Sequence, residues 1–322
     1  MSRHACLNRA YRLVWDAMRN LWIPVAETAR RRGKSGRVLT LSATLALAAG
    51  TGWALPTGGV ITAGEGQIGQ SGQVMTISQD SSRLAVDWEG FSIDRNETVN
   101  FVQPDTGAIA LNRVLGQDPS RILGGLNANG QVFVLNPNGV LFGQQAQVSV
   151  GGLVASTLGL ATPDFLSGNF RFSGTSTQEV SNAGALQARD GGYIALLGAR
   201  VSNSGTLEVH AGSVNLAAGQ AVTLQLADGS LAGLTVDQGS LDALAANHGL
   251  IRADGGQVLL TAEGADRLAR AVVNHDGVIE ARTLENRNGV IRLMGDMEVG
   301  DVQVDGTLDA SAPTSGNGGF VE

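Results

Sequence analysis

Residues 180–188 read VSNAGALQA, and residues 201–209 read VSNSGTLEV. The same frame returns as AANHGLIRA at 245–253, VNHDGVIEA at 273–281 and VQVDGTLDA at 302–310. Each copy is an apolar residue, three variable positions, a glycine, and then apolar residues at alternate positions. A second frame, Gly-x-[Ile/Val]-x-Leu, follows the first at Gly192, Gly212, Gly256 and Gly289, and a further copy opens at Gly319-Phe320-Val321. Alternation with period two predicts strands with one buried face. A strand of that kind is unstable alone, and stacking successive copies buries the faces in one column.

Working outward, glycine opens each strand, where a corner needs positive φ or close backbone approach. Asn182, Asn203, Asn247, Asn274 and Asp305 crowd the same corners, suiting residues that tolerate left-handed backbone and bond their own chain. The first-frame glycines at 184, 205, 249, 277 and 306 are 21, 44, 28 and 29 residues apart. One coil of about 21 residues, two coils in the 44-residue gap, and insertions in the longer gaps account for this. The expected fold is all-β: a right-handed parallel β-helix with an N-terminal cap and short insertions. Roughly ten to twelve coils at about 4.8 Å give a rod of about 50–60 Å. Ser240–Asn247 and Ala265–Val272 read as short external helices. A β-sandwich is the competing fold, but its hairpin turns would not recur in phase with one apolar pattern.

Charge divides the chain. Residues 1–54 hold nine Lys/Arg and two acids, and residues 55–322 hold 13 bases and 27 acids. A basic head on an acidic body predicts a targeting segment and excludes nucleic acid as a partner. Val38 to Gly50 (VLTLSATLALAAG) has the length of a signal-peptide apolar region. Arg30, Arg31, Arg32, Lys34 and Arg37 precede it, and Gly52-Trp53-Ala54 supplies small residues for cleavage between Ala54 and Leu55. The division is therefore 1–54, an extended signal peptide, and 55–322, the β-helix. Cys6 is the chain's one cysteine, so cleavage leaves a body that no disulfide can lock. Upstream, Leu13, Val14, Ala17, Leu21 and Val25 recur at helical spacing.

Two stretches carry a family resemblance. Tyr11-Arg12-Leu13-Val14-Trp15-Asp16, Trp22, Val25-Ala26-Glu27 and Gly33-Lys34 resemble the extended signal region of very large exported Gram-negative proteins. Residues 122–157 contain Asn129-Gly130-Gln131-Val132-Phe133, Asn136-Pro137-Asn138-Gly139-Val140, Phe142-Gly143 and Gly151-Gly152-Leu153-Val154-Ala155-Ser156-Thr157. With Ala108 to Val114 upstream, these resemble the two-partner secretion domain of filamentous haemagglutinin-like proteins. The resemblance implies Sec export and signal peptidase processing. Passage then follows through an outer-membrane β-barrel partner, whose periplasmic domains bind this domain. It implies a secreted or cell-surface protein that is not an enzyme and needs no cofactor. It assigns Asn136, Pro137, Asn138 and Gly139 to a recognition or folding motif. A weaker second motif falls at Gln103-Pro104-Asp105, which departs from the Asn-Pro-Asn form. Asn136 to Gly139 also has a purely structural reading, since Pro137 fixes φ and Asn138-Gly139 makes a tight turn.

The alternative is a β-helical polysaccharide-binding or pectate-lyase-like protein. Such an enzyme needs clustered Asp ligands for calcium and a base. Arg252, Asp254, Arg282 and Arg292 read instead as a solvated face. Gly64-x-Gly66-x-x-Gly69 lacks the following helix of a dinucleotide site. His4, His210, His248 and His275 lack metal-ligand spacing, and the last two read as equivalent corner residues. The repeat breaks off at Val321-Glu322 without a polar capping coil, which predicts a downstream passenger, the part that meets a host cell surface.

Overall fold

The structure is a computed structural model, and it describes residues 11–16, 21–26, 55–284 and 287–322. The chain divides into two units, Met1–Ala49 and Gly50–Glu322. The apolar segment 38–50, its basic flank, Cys6 and Ala54 lie outside the described residues.

In the first unit, Tyr11–Asp16 and Leu21–Ala26 pair antiparallel, with Trp15 opposite Trp22. The helical spacing expected here is corrected by that pairing. Pro24 lacks an amide donor and disrupts a helix interior, whereas a two-stranded ribbon leaves it an open edge.

The second unit is a parallel β-helix with three faces. On the first, Val74–Gln79, Thr98–Val102 and Gly125–Ala128 stack in parallel, followed by the starts of Gln147–Ser156 and Ala185–Gly198. Thr206–Glu208, Leu250–Arg252, Val278–Glu280 and Thr307–Asp309 complete it. The second face runs from Arg83–Trp88 through Gln131–Leu135, Ser213–Ala218 and Gln257–Ala262 to Phe320–Val321. The third runs from Ser120–Ile122 to Gly300–Val304.

The repeat becomes columns of side chains. Leu186, Leu207, Ile251, Ile279 and Leu308 stand in register on the first face. Val180, Val201, Ala245, Val273 and Val302 do so on the third. Ile194, Val214, Val258 and Ile291 form a further column on the second face. Most of these are fully buried and belong to one continuous core.

The corner glycines are required by close approach and not by positive φ. A Cβ on Gly205, Gly249 or Gly277 would lie 2.2 Å from the carbonyl oxygen of the glycine one coil below. Those carbonyls already accept the next coil's amide, as Gly205 O does from Leu250 N at 2.9 Å.

An N-terminal cap is present. Val60–Ala63 and Gly66–Ser71 pair antiparallel with Arg83–Trp88 and Val74–Gln79, the first-coil strands. Leu55, at the start of the described unit, is 3% exposed and part of the core.

Three expectations are corrected. The 44-residue gap is one coil, because Arg200–Asn203 pairs directly with Asp242–Asn247. The excess residues form a hairpin, Ala221–Ala227 with Ser230–Gln238, outside the coil. Second, the first face therefore has nine levels among the described residues and not ten to twelve. Third, Ser240–Asn247 and Ala265–Val272 are not helices: they contribute the strands Asp242–Asn247 and Arg270–His275, whose Ala243, Ala245, Ala271 and Val273 point inward. Alanine favours helices intrinsically, but stacking on Val201 overrides that preference.

The external hairpin joins Phe170–Ser173 in a three-stranded antiparallel sheet, and a short helix, Thr162–Ser167, precedes it. Together they cover the outer side of the second face in a second core. Phe133 packs there against Phe165, Phe170 and Phe172, with centroids 6.5, 5.8 and 6.0 Å away.

Candidate recognition motif

Strand Gln131–Leu135 ends at Asn136, whose side chain is fully buried. The N–H of Gly139 donates to Asn136 O at 3.0 Å, closing a four-residue turn. Pro137 occupies the second position, where its fixed φ fits and its missing N–H costs nothing. Gly139 has φ +111°, which disfavours any residue with a side chain.

Asn136 spends every polar atom inside the protein. Its Oδ1 accepts from Asn138 N at 2.9 Å and Asn138 Nδ2 at 3.2 Å. Its Nδ2 donates to Asp118 O at 2.9 Å and to Ser120 Oγ at 3.0 Å, one coil below. Its N–H donates to Ser156 O one coil above. Asn138 Nδ2 also donates to Gly116 O at 2.8 Å. The turn thus ties three coils together. Its exposed parts are Pro137, half of Asn138 and the neighbouring Thr175–Gln178 segment, where Ser176 Oγ donates to Pro137 O.

Gln103 lies at a different corner, between Thr98–Val102 and Ile109–Val114. It is 5% exposed. Its N–H and C=O pair reciprocally with the Asn129 side chain, both at 2.8 Å. Gln103 Oε1 accepts from Gly130 N at 2.9 Å, and its Nε2 donates to Gln79 Oε1 at 3.0 Å and Gln131 O at 3.2 Å. The Tyr193 hydroxyl donates to Gln131 Oε1, and burial pushes that phenol up, against the opposing charge of Arg189. Pro104 and Asp105 are exposed, and Asp105 Oδ1 accepts from Gly107 N at 2.8 Å. The fold does not join Gln103-Pro104-Asp105 to Asn136-Pro137-Asn138-Gly139 in one site. Sequence reasoning missed Ser120 and Gln79, which lie outside the quoted motifs and matter only once the coils stack.

Arg252 and Arg282, read as a solvated face, are engaged. Arg252 pairs with Glu280 at 2.7 Å and Glu208 at 3.4 Å, and Arg282 with Asp254 at 2.7 Å. His248 and His275 are not equivalent. His275 is fully buried above Asn247, while His248 Nδ1 meets Asp276 Oδ1 at 2.6 Å outside. Among the described residues no group of three His, Cys, Asp or Glu is placed to hold a metal ion.

The family model of the TPS secretion domain matches residues 54–310. The chain belongs to the two-partner secretion domain family. Residues 8–55 match the Extended Signal Peptide of Type V secretion system. Among solved structures, the HMW1 secretion domain from Haemophilus influenzae aligns with TM-score 0.68 and 26% identity. That alignment covers 79% of this chain and 73% of that one. The filamentous hemagglutinin secretion domain shares the fold, with TM-score 0.50 and 13% identity over 82% of this chain and 99% of that one. The chain is 33% identical over 268 residues to the heme/hemopexin-binding protein of Haemophilus influenzae. This match covers 79% of the chain and 28% of that relative's length, so the chain spans under a third of the relative. As a two-partner secretion domain with an extended signal peptide, the protein is exported across the outer membrane to the cell surface or beyond. Its direct partner is a cognate outer-membrane transporter.

Proposed function

We propose that residues 55–322, released by cleavage after Ala54, bind the periplasmic domains of the transporter while extended and then nucleate β-helix folding at the cell surface. The role is one of recognition and folding, not catalysis. The observation that carries it is the double use open to Asn136 and Asn138. In the extended chain their side chains are free for a partner, and in the coil Asn136 is wholly taken up by Asp118, Ser120 and Asn138. Folding therefore withdraws Asn136 from the transporter, while Pro137 stays exposed. The lack of cysteine after residue 6 leaves the chain free to thread. Cleavage after Ala54 fits the burial of Leu55, which then makes the first mature residue part of the core.

We further propose that the domain leads a longer passenger that carries adhesion to a host surface, haemagglutinin-like binding or haem-related binding, the last two by analogy with the relatives' names. Weighing against the polysaccharide-binding or pectate-lyase-like alternative, Asp254, Arg252 and Arg282 pair with one another or with neighbouring glutamates, and Arg292 pairs with Glu322.

The test replaces Asn136 and Asn138 together by Ala, and measures secretion alongside binding to the purified periplasmic domains. Secretion is expected to fall at least tenfold, with binding lost for the denatured chain. Wild-type secretion by the double variant refutes the proposal.

A further inference from the structure

Asn136 turns inward, but the corner it closes continues toward the N-terminal cap as an apolar strip. The register that sets Leu135 over Arg113, carried two residues further, places Pro137 one coil above Leu115. Asn138 Nδ2 holds that alignment by donating to Gly116 O at 2.8 Å. Leu115 N donates in turn to Trp88 O at 2.8 Å, one coil lower. There the cap strand Val60–Ala63 runs antiparallel, with Val60 opposite Asp87. Pro137 is exposed, Leu115 is 69% exposed and Val60 is 60% exposed. Single exposed apolar residues are ordinary on a protein surface. Three at one corner, rimmed by polar groups, form a patch of the kind that marks interaction sites.

Between Leu115 and Val60 the surface is concave. A crevice of about 450 Å³ opens there, within the size range of binding pockets. Trp88, 1% exposed, forms its floor, and Gly58 and Gly116 leave its sides free of side chains. Asp87 and Glu89 lie at the rim. Asp87 pairs with Arg113 at 2.7 Å, and the exposed Glu89 sets a carboxylate beside the apolar crevice. The crevice belongs to the folded state alone, because Val60, Trp88 and Leu115 come from three separate segments: the cap, the first coil and the second.

Position identifies the occupant. The crevice shares its corner with the Asn136 turn, and the direct partner of the domain is the outer-membrane transporter. We propose that the folded domain docks on the transporter through this strip. An apolar side chain of the transporter enters the crevice against Trp88, with a basic neighbour facing Glu89, and Pro137 and Leu115 flank it. A buried apolar anchor in a pocket is the usual centre of such a contact. Folding then exchanges one contact for another, Asn136 being withdrawn as the crevice forms. The inference rests on the transporter as partner and goes beyond the extended-chain reading, whose state and residues it does not use.

The exported protein, shown to be folded by its resistance to protease, is titrated onto the transporter in lipid nanodiscs. Saturable binding is expected. Leu115→Glu is expected to weaken it at least tenfold with unchanged circular dichroism. Leu268→Glu, at a side chain 93% exposed but several coils away, is expected to leave it unchanged. Thr62, on the crevice rim, gives a second measurement. The secretion domain contains no cysteine, so Thr62→Cys carries a unique benzophenone label, and illumination should cross-link it to the transporter. This decides the matter even if Leu115→Glu misfolds. Four results overturn the proposal: no binding, equal binding to nanodiscs without transporter, an equal loss from Leu268→Glu, or no cross-link from residue 62. Secretion of the Asn136 and Asn138 double variant tests the extended-chain reading separately, so either can fail alone.

Discussion

His275 stands directly on Asn247, with Asn247 Nδ2 3.2 Å from His275 Nδ1. On its far side the ring's Nε2 is 3.1 Å from Thr307 O. A carbonyl only accepts, so Nε2 carries the hydrogen and Nδ1 accepts from the asparagine. The ring continues a ladder in which Asn182 Nδ2 donates to Asn203 Oδ1 at 2.8 Å and Asn203 Nδ2 to Asn247 Oδ1 at 2.7 Å. His275→Leu is expected to cost about 1–3 kcal/mol by orphaning groups at both ends. His275→Asn should cost less than half as much. Urea midpoints at unchanged slope compare the two.

Asn136→Ala removes an acceptor and two donors from a buried turn. A loss of about 2–4 kcal/mol is expected, against less than about 1 kcal/mol for Pro137→Ala at the exposed position. Thermal unfolding of the two variants checks the order. Equal losses would show that the proline, and not the amide network, holds the corner.

Leu207 lies between Leu186 and Ile251 in the first-face column and is fully buried. Leu207→Asp puts an unpaired charge there and should unfold the coils around it, at a cost above about 4 kcal/mol. Leu207→Met should cost less than about 1.5 kcal/mol. Far-UV circular dichroism and resistance to protease report both.

Burial works to raise the Asp254 carboxyl, but hydrogen bonds from Arg282 outweigh it and hold it below the usual carboxylate range. A group depressed in the folded state stabilises above its unfolded pKa and loses that contribution as pH falls through the folded value. Stability should therefore decline below about pH 4. Asp254→Asn should lower the neutral-pH midpoint and flatten that part of the acid decline. Denaturant titrations between pH 2 and 7 test the sign.

The inner columns were legible because each repeat spells one strand with one buried face, as at Leu186, Leu207 and Ile251. The outer core was not. Val132-Phe133-Val134-Leu135 and Ile194-Ala195-Leu196-Leu197 are uninterrupted apolar runs, which signal burial on both faces. Period-two reading uses only half of such a run. The hairpin at 221–238 was absorbed into the spacing because its length happens to equal about one coil. At the motif, the turn was readable from Pro137 and Gly139. Its partners Asp118, Ser120 and Gly116 belong to the preceding coil, and no local pattern announces them. Leu55's burial likewise follows from packing and not from its neighbours.

Glu208, Arg252 and Glu280 occupy one register position on three successive coils. Their signs alternate over these three coils, with Arg252 paired to both neighbours, and the next position, Asp309, repeats the sign of Glu280. The asparagine rungs are interchangeable: Asn182 would fit over Asn247 as well as over Asn203. The charges are not. A chain that skipped the coil bearing Arg252 would set Glu208 against Glu280, and like charges directly opposite destabilise a ladder. The amide ladder thus acts as a common adhesive, and Arg252, set between two glutamates, acts as a local address that fixes the place of its own coil in the stack.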